Sequence, residues 1–252
     1  MDFTGKVVAI TGGSRGIGSA TARAFARKGA KVAIVFKSNE ESAKQTLHSL
    51  DGKGHLAMKA DLSDPKIPEK LVSKIVQEMG GLDILVNNAG IFAPHKIDEV
   101  DYQTWQDAWK NIMDINLQAI ANLCYWTVNY MKDHGGGRIV NVSSRGAFRG
   151  EPEYPAYGAS KAGLNSFSQS LAQYVAKYNI YVGVVAPGFV ATDMAKESLE
   201  GPQGKSIKNQ SPLGRVAKPE EVAHGILFLA SEGSEFMTGG ILDINGASYL
   251  RT

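Results

Sequence analysis

The chain has 252 residues, 43% of them hydrophobic and 21% charged, and a formal net charge of +2. That length can bury a sizeable core, and the composition is that of a globular protein rather than a disordered or fibrous one. A charge so near neutrality gives no electrostatic case for a nucleic-acid or membrane partner, and a single cysteine, Cys124, cannot form an internal disulfide.

The N-terminal MDFTGKVVAITGG enters a strand pattern almost at once. No signal peptide or membrane span is expected, and the expected compartment is the cytoplasm. Runs rich in β-branched residues predict strands over 6–11, 31–36, 82–87, 138–143, 180–186 and 241–244, with a weaker one over 55–60. Helical spacing predicts helices over 17–28, 39–50, 65–79, 101–133, 155–178 and 218–231. Strands alternating with helices imply a parallel sheet covered on both faces. No linker divides two cores, so one α/β domain is expected over 1–252. The polar stretch 189–212 carries Gly201-Pro202 and Gly204, and its length suggests a lid or binding loop.

Between the first strand and first helix lies ITGGSRGIG, Ile10 to Gly18. Glycines there let the backbone turn tightly and approach a pyrophosphate held at the helix N-terminus. Gly12, Gly16 and Gly18 space as G-x-x-x-G-x-G. By itself the motif also fits a glycine-rich turn with no ligand.

A second motif is YPAYGASKAG, Tyr154 to Gly163. Pro155 suits the first turn of a helix, where its missing N–H costs nothing. Tyr157 and Lys161 then stand one turn apart on one face. An ammonium beside a phenol favours the phenolate, which starts from a pKa of ~10. Tyr154 precedes Pro155 and falls outside the helix, where packing or lining a cleft is its expected role.

Together these motifs resemble the short-chain dehydrogenase/reductase family. Its T-G-x-x-x-G-x-G loop matches Thr11, Gly12, Gly16 and Gly18, and its N-N-A-G matches Asn87 to Gly90. Its Y-x-x-x-K matches Tyr157 and Lys161, and its catalytic serine matches Ser144 rather than Ser143. Its catalytic asparagine matches Asn116 in MDINL, and its P-G turn matches Pro187-Gly188, followed by Thr192. The resemblance spans nearly the whole chain. It implies a Rossmann-type, doubly wound, seven-stranded parallel sheet. It also implies hydride transfer between a nicotinamide cofactor and a carbonyl/alcohol pair, without metal. Tyr157 is the implied acid or base, with its pKa brought down by Lys161, the oxidised nicotinamide and a partly desolvated cleft. Ser144 is the implied holder of the substrate oxygen, and Asn116 the holder of a water that relays protons to Lys161. The implied cofactor contacts are Gly12, Ser14, Arg15, Gly16, Ile17 and Gly18 in the first loop and Lys37 and Ser38 after the second strand. Asp61 and Leu62 follow the third, and Asn88, Ala89 and Gly90 the fourth. Tyr157, Lys161, Pro187, Gly188, Val190 and Thr192 complete them.

In NAD-binding sheets an acid near the end of the second strand accepts from the ribose 2′-hydroxyl. Here that place reads Phe36-Lys37-Ser38-Asn39, with no acid before Glu40. Arg15 and Lys37 offer positive charge instead, so NADP(H) is the expected cofactor, unless both are ordinary solvated side chains. The five histidines show no ligand spacing, so no metal is expected. Cys124 in ANLCYW reads as core. Trp105 and Trp109 read as packing or a subunit contact. Arg145 and Arg149 read as a solvated loop, with an acidic substrate as the alternative.

Within the family the wording GGSRGIG, APGF…TDM and TGGILDINGA is most similar to the 3-oxoacyl-(acyl-carrier-protein) reductases. That likeness implies a homotetramer acting on an acyl thioester, with acyl carrier protein as a possible partner. Carrier proteins are acidic, and two positions expected to be basic are Gly135 and Tyr178 here, with Lys132 and Lys177 close by. The other readings are a reductase of small ketones, sugars or secondary alcohols, and a nucleotide-binding sensor without turnover.

Overall fold

The computed structural model describes residues 1–251. The expected strands form as β1 (Val7–Thr11), β2 (Lys31–Phe36), β3 (Leu56–Lys59), β4 (Ile84–Asn87), β5 (Gly137–Val142), β6 (Ile180–Pro187) and β7 (Ile241–Ile244). They pair in parallel, in the order β3-β2-β1-β4-β5-β6-β7. Alternation along the strands sends side chains to two separate cores. Val8, Ile10, Ile34 and Val86 face one cluster with Phe25 and Ile226. Val7, Ala9, Val35 and Leu85 face the other with Leu71, Leu123 and Leu164. The first cluster is covered by α1 (Gly16–Ala26) and α10 (Pro219–Ala230). The second is covered by α3 (Ile67–Met79), α5 (Ala119–Met131) and α7 (Pro155–Val175). One domain with a doubly wound, seven-stranded sheet is therefore what the chain builds.

Local chemistry sets the helix limits. Asn39 caps α2 (Glu40–His48) by accepting from the Ser42 N–H at 2.9 Å. Asp101 caps α4 (Tyr102–Met113) by accepting from Thr104 at 2.7 Å. Gly80 ends α3 at φ 86°, where a side chain would be strained.

Three elements depart from the periodicity. The helix expected over 101–133 is divided by a π turn, Asp114–Gln118, between α4 and α5. A one-residue expansion of the turn leaves the apolar pattern nearly unchanged, so spacing could not show it. The polar stretch 189–212 holds α8 (Asp193–Glu200) and α9 (Gly204–Asn209). α8 buries no residue and α9 only Gly204 and Ile207, too few for an apolar face to be read. A further short helix, α6 (Gly146–Arg149), follows β5. Among the described residues no helix is long and apolar enough to cross a membrane.

Candidate active site

Chain order reverses between β1 and β4, and ligands of open α/β sheets bind outside the strand ends at such a switch point. The glycine loop after β1 and the N-N-A-G after β4 meet there. Thr11 Oγ1 accepts from the Asn88 and Ala89 N–H groups, each at 3.0 Å. The Asn88 side-chain amide donates to the carbonyls of Thr11 at 2.9 Å and Gly12 at 3.1 Å. Asn88 thus braces the two loops from within, a role that its place in the motif did not reveal.

The loop is a cradle that tolerates no extra carbon. Gly12 and Gly16 have φ of 63° and 54°. A Cβ on Gly18 would lie 2.2 Å from the Gly12 carbonyl oxygen. A Cβ on Gly16 would lie 3.1 Å from Thr192, so the segment after β6 closes against this loop. Thr46 of α2 pins the loop from behind, donating to the Ser14 carbonyl at 2.9 Å. The α1 N-terminus has no side-chain cap and no acid in its first turn. Its free N–H groups and positive dipole end suit a pyrophosphate. These features fit a nicotinamide dinucleotide.

Beside the cradle, the end of β5, the start of α7 and the π turn bring four of the expected residues together. Lys161 is buried, and its Nζ donates to the Val142 carbonyl at 2.8 Å. That Nζ lies 5.8 Å from the centre of the Tyr157 ring. Asn116 lies within the π turn, fully buried. Its Oδ1 accepts from the Ile91 N–H at 2.8 Å, while its Nδ2 donates to the Ile91 carbonyl at 3.0 Å and to Ser160 at 3.3 Å. The turn expands where this side chain clamps the loop after β4. A Cβ on Gly90 would lie 3.2 Å from Asn116 Oδ1 and 3.5 Å from Lys161 Nζ, so glycine keeps that approach open. The Ser144 hydroxyl lies near enough to Tyr157 to favour its phenolate, and its Oγ accepts from the Gly146 N–H at 3.0 Å. Ser143 faces away, donating to the Lys161 carbonyl at 3.3 Å.

Electrostatics differ from the simple expectation. Burial pushes the Tyr157 phenol up to about 12, and the nearby Ser144 hydroxyl opposes this only in part. Burial pulls Lys161 down to about 8. Without a bound cofactor, desolvation outweighs any pull of the ammonium on the phenol.

A family model described as short chain dehydrogenase matches residues 6–203. The chain belongs to the short-chain dehydrogenase family. It is accordingly an oxidoreductase acting on carbonyl and CH–OH groups. It is 37% identical over 250 residues to a protein of Vibrio cholerae, with 99% of this chain and all of the other covered. The same identity and coverage hold for an Escherichia coli (strain K12) protein. A Thermotoga maritima protein is 38% identical over 248 residues, 98% of each chain. All three are named 3-oxoacyl-(acyl-carrier-protein) reductase FabG.

Several expected contacts of this dehydrogenase are otherwise engaged. Lys37 is paired with Asp61 at 2.8 Å, so neither side chain is free. Asp61 also accepts from the N–H and hydroxyl of Ser63, and with Lys37 these hold its carboxyl below the usual range. Ser38 is exposed, and Leu62 partly buried behind Asp61. Arg15 is exposed, 3.9 Å from Asp193. Val190 is buried and bridges to Ala217, so it anchors the segment after β6 rather than presenting a side chain. The solvated reading of Arg145 is wrong: it is 3% exposed, because its guanidinium turns inward to Ser248 and Gln210. Arg149 is exposed, as expected. Cys124 is buried, with its thiol pushed up to about 12 by burial.

His95 and Phe92 had no signal in the sequence, whereas Trp105, Trp109 and Tyr154 pack as expected. His95 Nε2 accepts from the Ala156 N–H at 3.1 Å, and its Nδ1 bonds the Ala93 carbonyl at 2.9 Å. This neutral tautomer ties the loop after β4 to the first turn of α7. Trp105 packs on His95, with Trp109 behind it. Phe92 stacks on Tyr154 at 3.7 Å and meets the Tyr157 ring edge-on at 4.8 Å. Tyr154 precedes α7, as Pro155 implied, and packs against Phe92.

The cradle supports a direct test. Gly18→Ala puts a methyl into the Gly12 carbonyl, and overpacking of this kind costs ~1–3 kcal/mol. Affinity for a reduced nicotinamide dinucleotide should fall about tenfold or more at ~1.4 kcal/mol per decade, measured by fluorescence titration on protein with a cooperative melt. Unchanged affinity would show that the loop does not carry the cofactor.

Proposed function

We propose that this dehydrogenase reduces 3-oxoacyl thioesters with NADPH, and that its catalytic residues are Asn116, Ser144, Tyr157 and Lys161. The observation that carries the reading is the convergence of those side chains beside the glycine cradle, at the edge of the sheet where β1, β4 and β5 end. Likeness over nearly the full chain to reductases named for 3-oxoacyl-(acyl-carrier-protein) supports the substrate class.

When bound, the nicotinamide supplies the hydride in reduction and accepts it in oxidation. The chain's own groups hold the carbonyl and manage its proton. Ser144 donates a hydrogen bond to the substrate oxygen as negative charge grows on it. Tyr157 keeps its proton at neutral pH, because burial holds the phenol near 12. It is therefore set as the acid that protonates that oxygen, and a base only once charge nearby lowers it. Lys161 lies one turn along the same helix face, where its ammonium stabilises the phenolate left when Tyr157 gives its proton to the substrate oxygen. Asn116 holds the loop after β4 in place through Ile91, and its Ser160 contact ties that loop to α7.

The small-carbonyl reading keeps one observation in its favour. Lys132 follows α5 and Lys177 follows α7, just before β5 and β6 begin. They lie at the edge of the sheet opposite Ser144 and Pro187, where those strands end. Lys177 also packs over Tyr174 at 4.3 Å. Arg145, buried, adds no charge to the surface. Of the two arginines after Ser144, only the exposed Arg149 offers surface charge to an acidic carrier within one chain.

The deciding experiment compares NADPH oxidation with one 3-oxoacyl group on carrier protein, on a short thioester, and as a simple ketone. The carrier substrate should give the highest kcat/KM, with an advantage that shrinks as salt screens the encounter. Equal rates on the thioesters, or a faster ketone, would assign the cleft to small carbonyl compounds. No oxidation with any of them would leave a nucleotide-binding protein without turnover. The substrate segment after β6, residues 189–212, is the lid in this proposal, resting on the cradle through Thr192. We also place the enzyme in the cytoplasm.

A further inference from the structure

Arg145 follows Ser144 directly, and its backbone N–H donates to the Pro187 carbonyl at 2.9 Å. Its side chain enters a cavity of about 90 Å³ bounded by Phe189, Ile207, Ser211, Leu213 and Arg215. The guanidinium is almost wholly removed from water, yet it meets no carboxylate. Its Nη1 donates to Ser248 Oγ at 2.6 Å and its Nη2 to Gln210 Oε1. Phe189 lies against it, 5.2 Å from ring centre to guanidinium. Arg149 reaches the same Gln210 oxygen at 3.5 Å. Two cations thus share one neutral amide oxygen.

The nearby acids relieve this only in part. Glu151 lies close enough to pull on both arginines but forms no ion pair within 4.0 Å among the described residues, and burial pushes its carboxyl up. Glu221 is held by Arg215 in a two-pronged pair, at 2.7 Å for both bonds. A buried charge without a counter-ion is costly, and the cost remains wherever the protein supplies only neutral acceptors. A planar guanidinium is also the group best suited to receive a carboxylate through two parallel bonds.

We propose that this cavity is a carboxylate-binding subsite with Arg145 as the residue that selects the anion. The carboxylate belongs to the carbonyl substrate or to a separate small organic acid. The first source rests on the reductase reading above and requires a substrate with a free carboxylate besides its carbonyl; the subsite itself does not. An incoming carboxylate takes the place of Gln210 Oε1 at the guanidinium and cancels the buried charge. Leu213 and Arg215 at the rim are exposed, so the cavity has an entrance.

Succinate is the probe, titrated by calorimetry into the full chain, the Arg145→Gln variant and the Gln210→Glu variant. Gln210→Glu guards against a folding artefact, because it gives Arg145 a carboxylate of its own and should keep or raise the melting temperature. Succinate should bind the unmodified chain, and both changes should weaken it by about tenfold or more, the weight of a charge-assisted hydrogen bond. No saturable binding to the unmodified chain, or equal binding by Gln210→Glu, would overturn the subsite. A second arm compares 5-oxohexanoate with its methyl ester as substrates. A preference for the acid that disappears in Gln210→Glu places the anion on the substrate, whereas equal kcat/KM beside Arg145-dependent succinate binding assigns the subsite to a separate acid. If no carbonyl compound is turned over, the reductase reading fails while the calorimetry still decides the subsite.

Discussion

Tyr157→Phe is expected to lower turnover by about 100-fold or more, since a general acid contributes 10²–10⁴. The substitution removes the proton donor and leaves the ring on Phe92, so NADPH affinity and melting temperature should hardly move. Tyr154→Phe is the matched control: its ring stacks on Phe92 in the same cluster. It should keep most activity. Equal losses in the two variants would show that the cluster matters for packing and that Tyr157 is not the acid. The pH profile adds a signed test. Tyr157 stays protonated through neutrality, because its phenol is pushed up to about 12. Lys161, pulled down to about 8, loses its positive charge first as pH rises. Carbonyl reduction should therefore be flat near pH ~6–7 and decline through about 8. A rate that climbs through that range would make the neutral lysine the active form.

The second large effect concerns the cofactor. NADPH is expected to bind roughly 30–100-fold more tightly than NADH, and Arg15→Ala with Lys37→Ala should remove most of that difference. Charge-assisted hydrogen bonds contribute ~1.5–3 kcal/mol each. Lys37 must leave Asp61 to reach a 2′-phosphate, and an exposed pair of that kind is worth ~0–1 kcal/mol. With both bonds at the lower end of that range, ~3 kcal/mol together, less the lost pair, the net of ~2–3 kcal/mol gives the stated ratio. The loss should fall on NADPH, while NADH affinity changes little. Dissociation constants that are equal for both cofactors in the unmodified chain would rule the assignment out. Asp61→Asn offers an internal check, since freeing Lys37 should raise the ratio of NADPH to NADH affinity, whatever the loss of Asp61 costs both.

Much of this molecule could be read before it was folded. The strands are legible because short β-branched runs need no tertiary context to stand out, and β2 and β7 match their expected limits residue for residue. The glycine cradle is legible because only glycine fits where a Cβ would strike a carbonyl 2.2 Å away. Tyr157 and Lys161 are legible because one helix turn places them on one face. The π turn at Asn116 is different. It exists because a side chain found backbone partners at Ile91, far along the chain, and no local pattern records that. His95 bonding Ala156 is another meeting of distant segments. Charge is where local reading fails most. An arginine after Ser144 and a lysine after Phe36 look alike as letters, yet one is sealed in a cavity and the other lies on the surface against Asp61. Local propensity and repeat spacing are properties of neighbours in sequence. Burial, ion pairing and the pKa values that follow depend on which distant groups the fold brings within a few ångströms, and only the tertiary structure decides that.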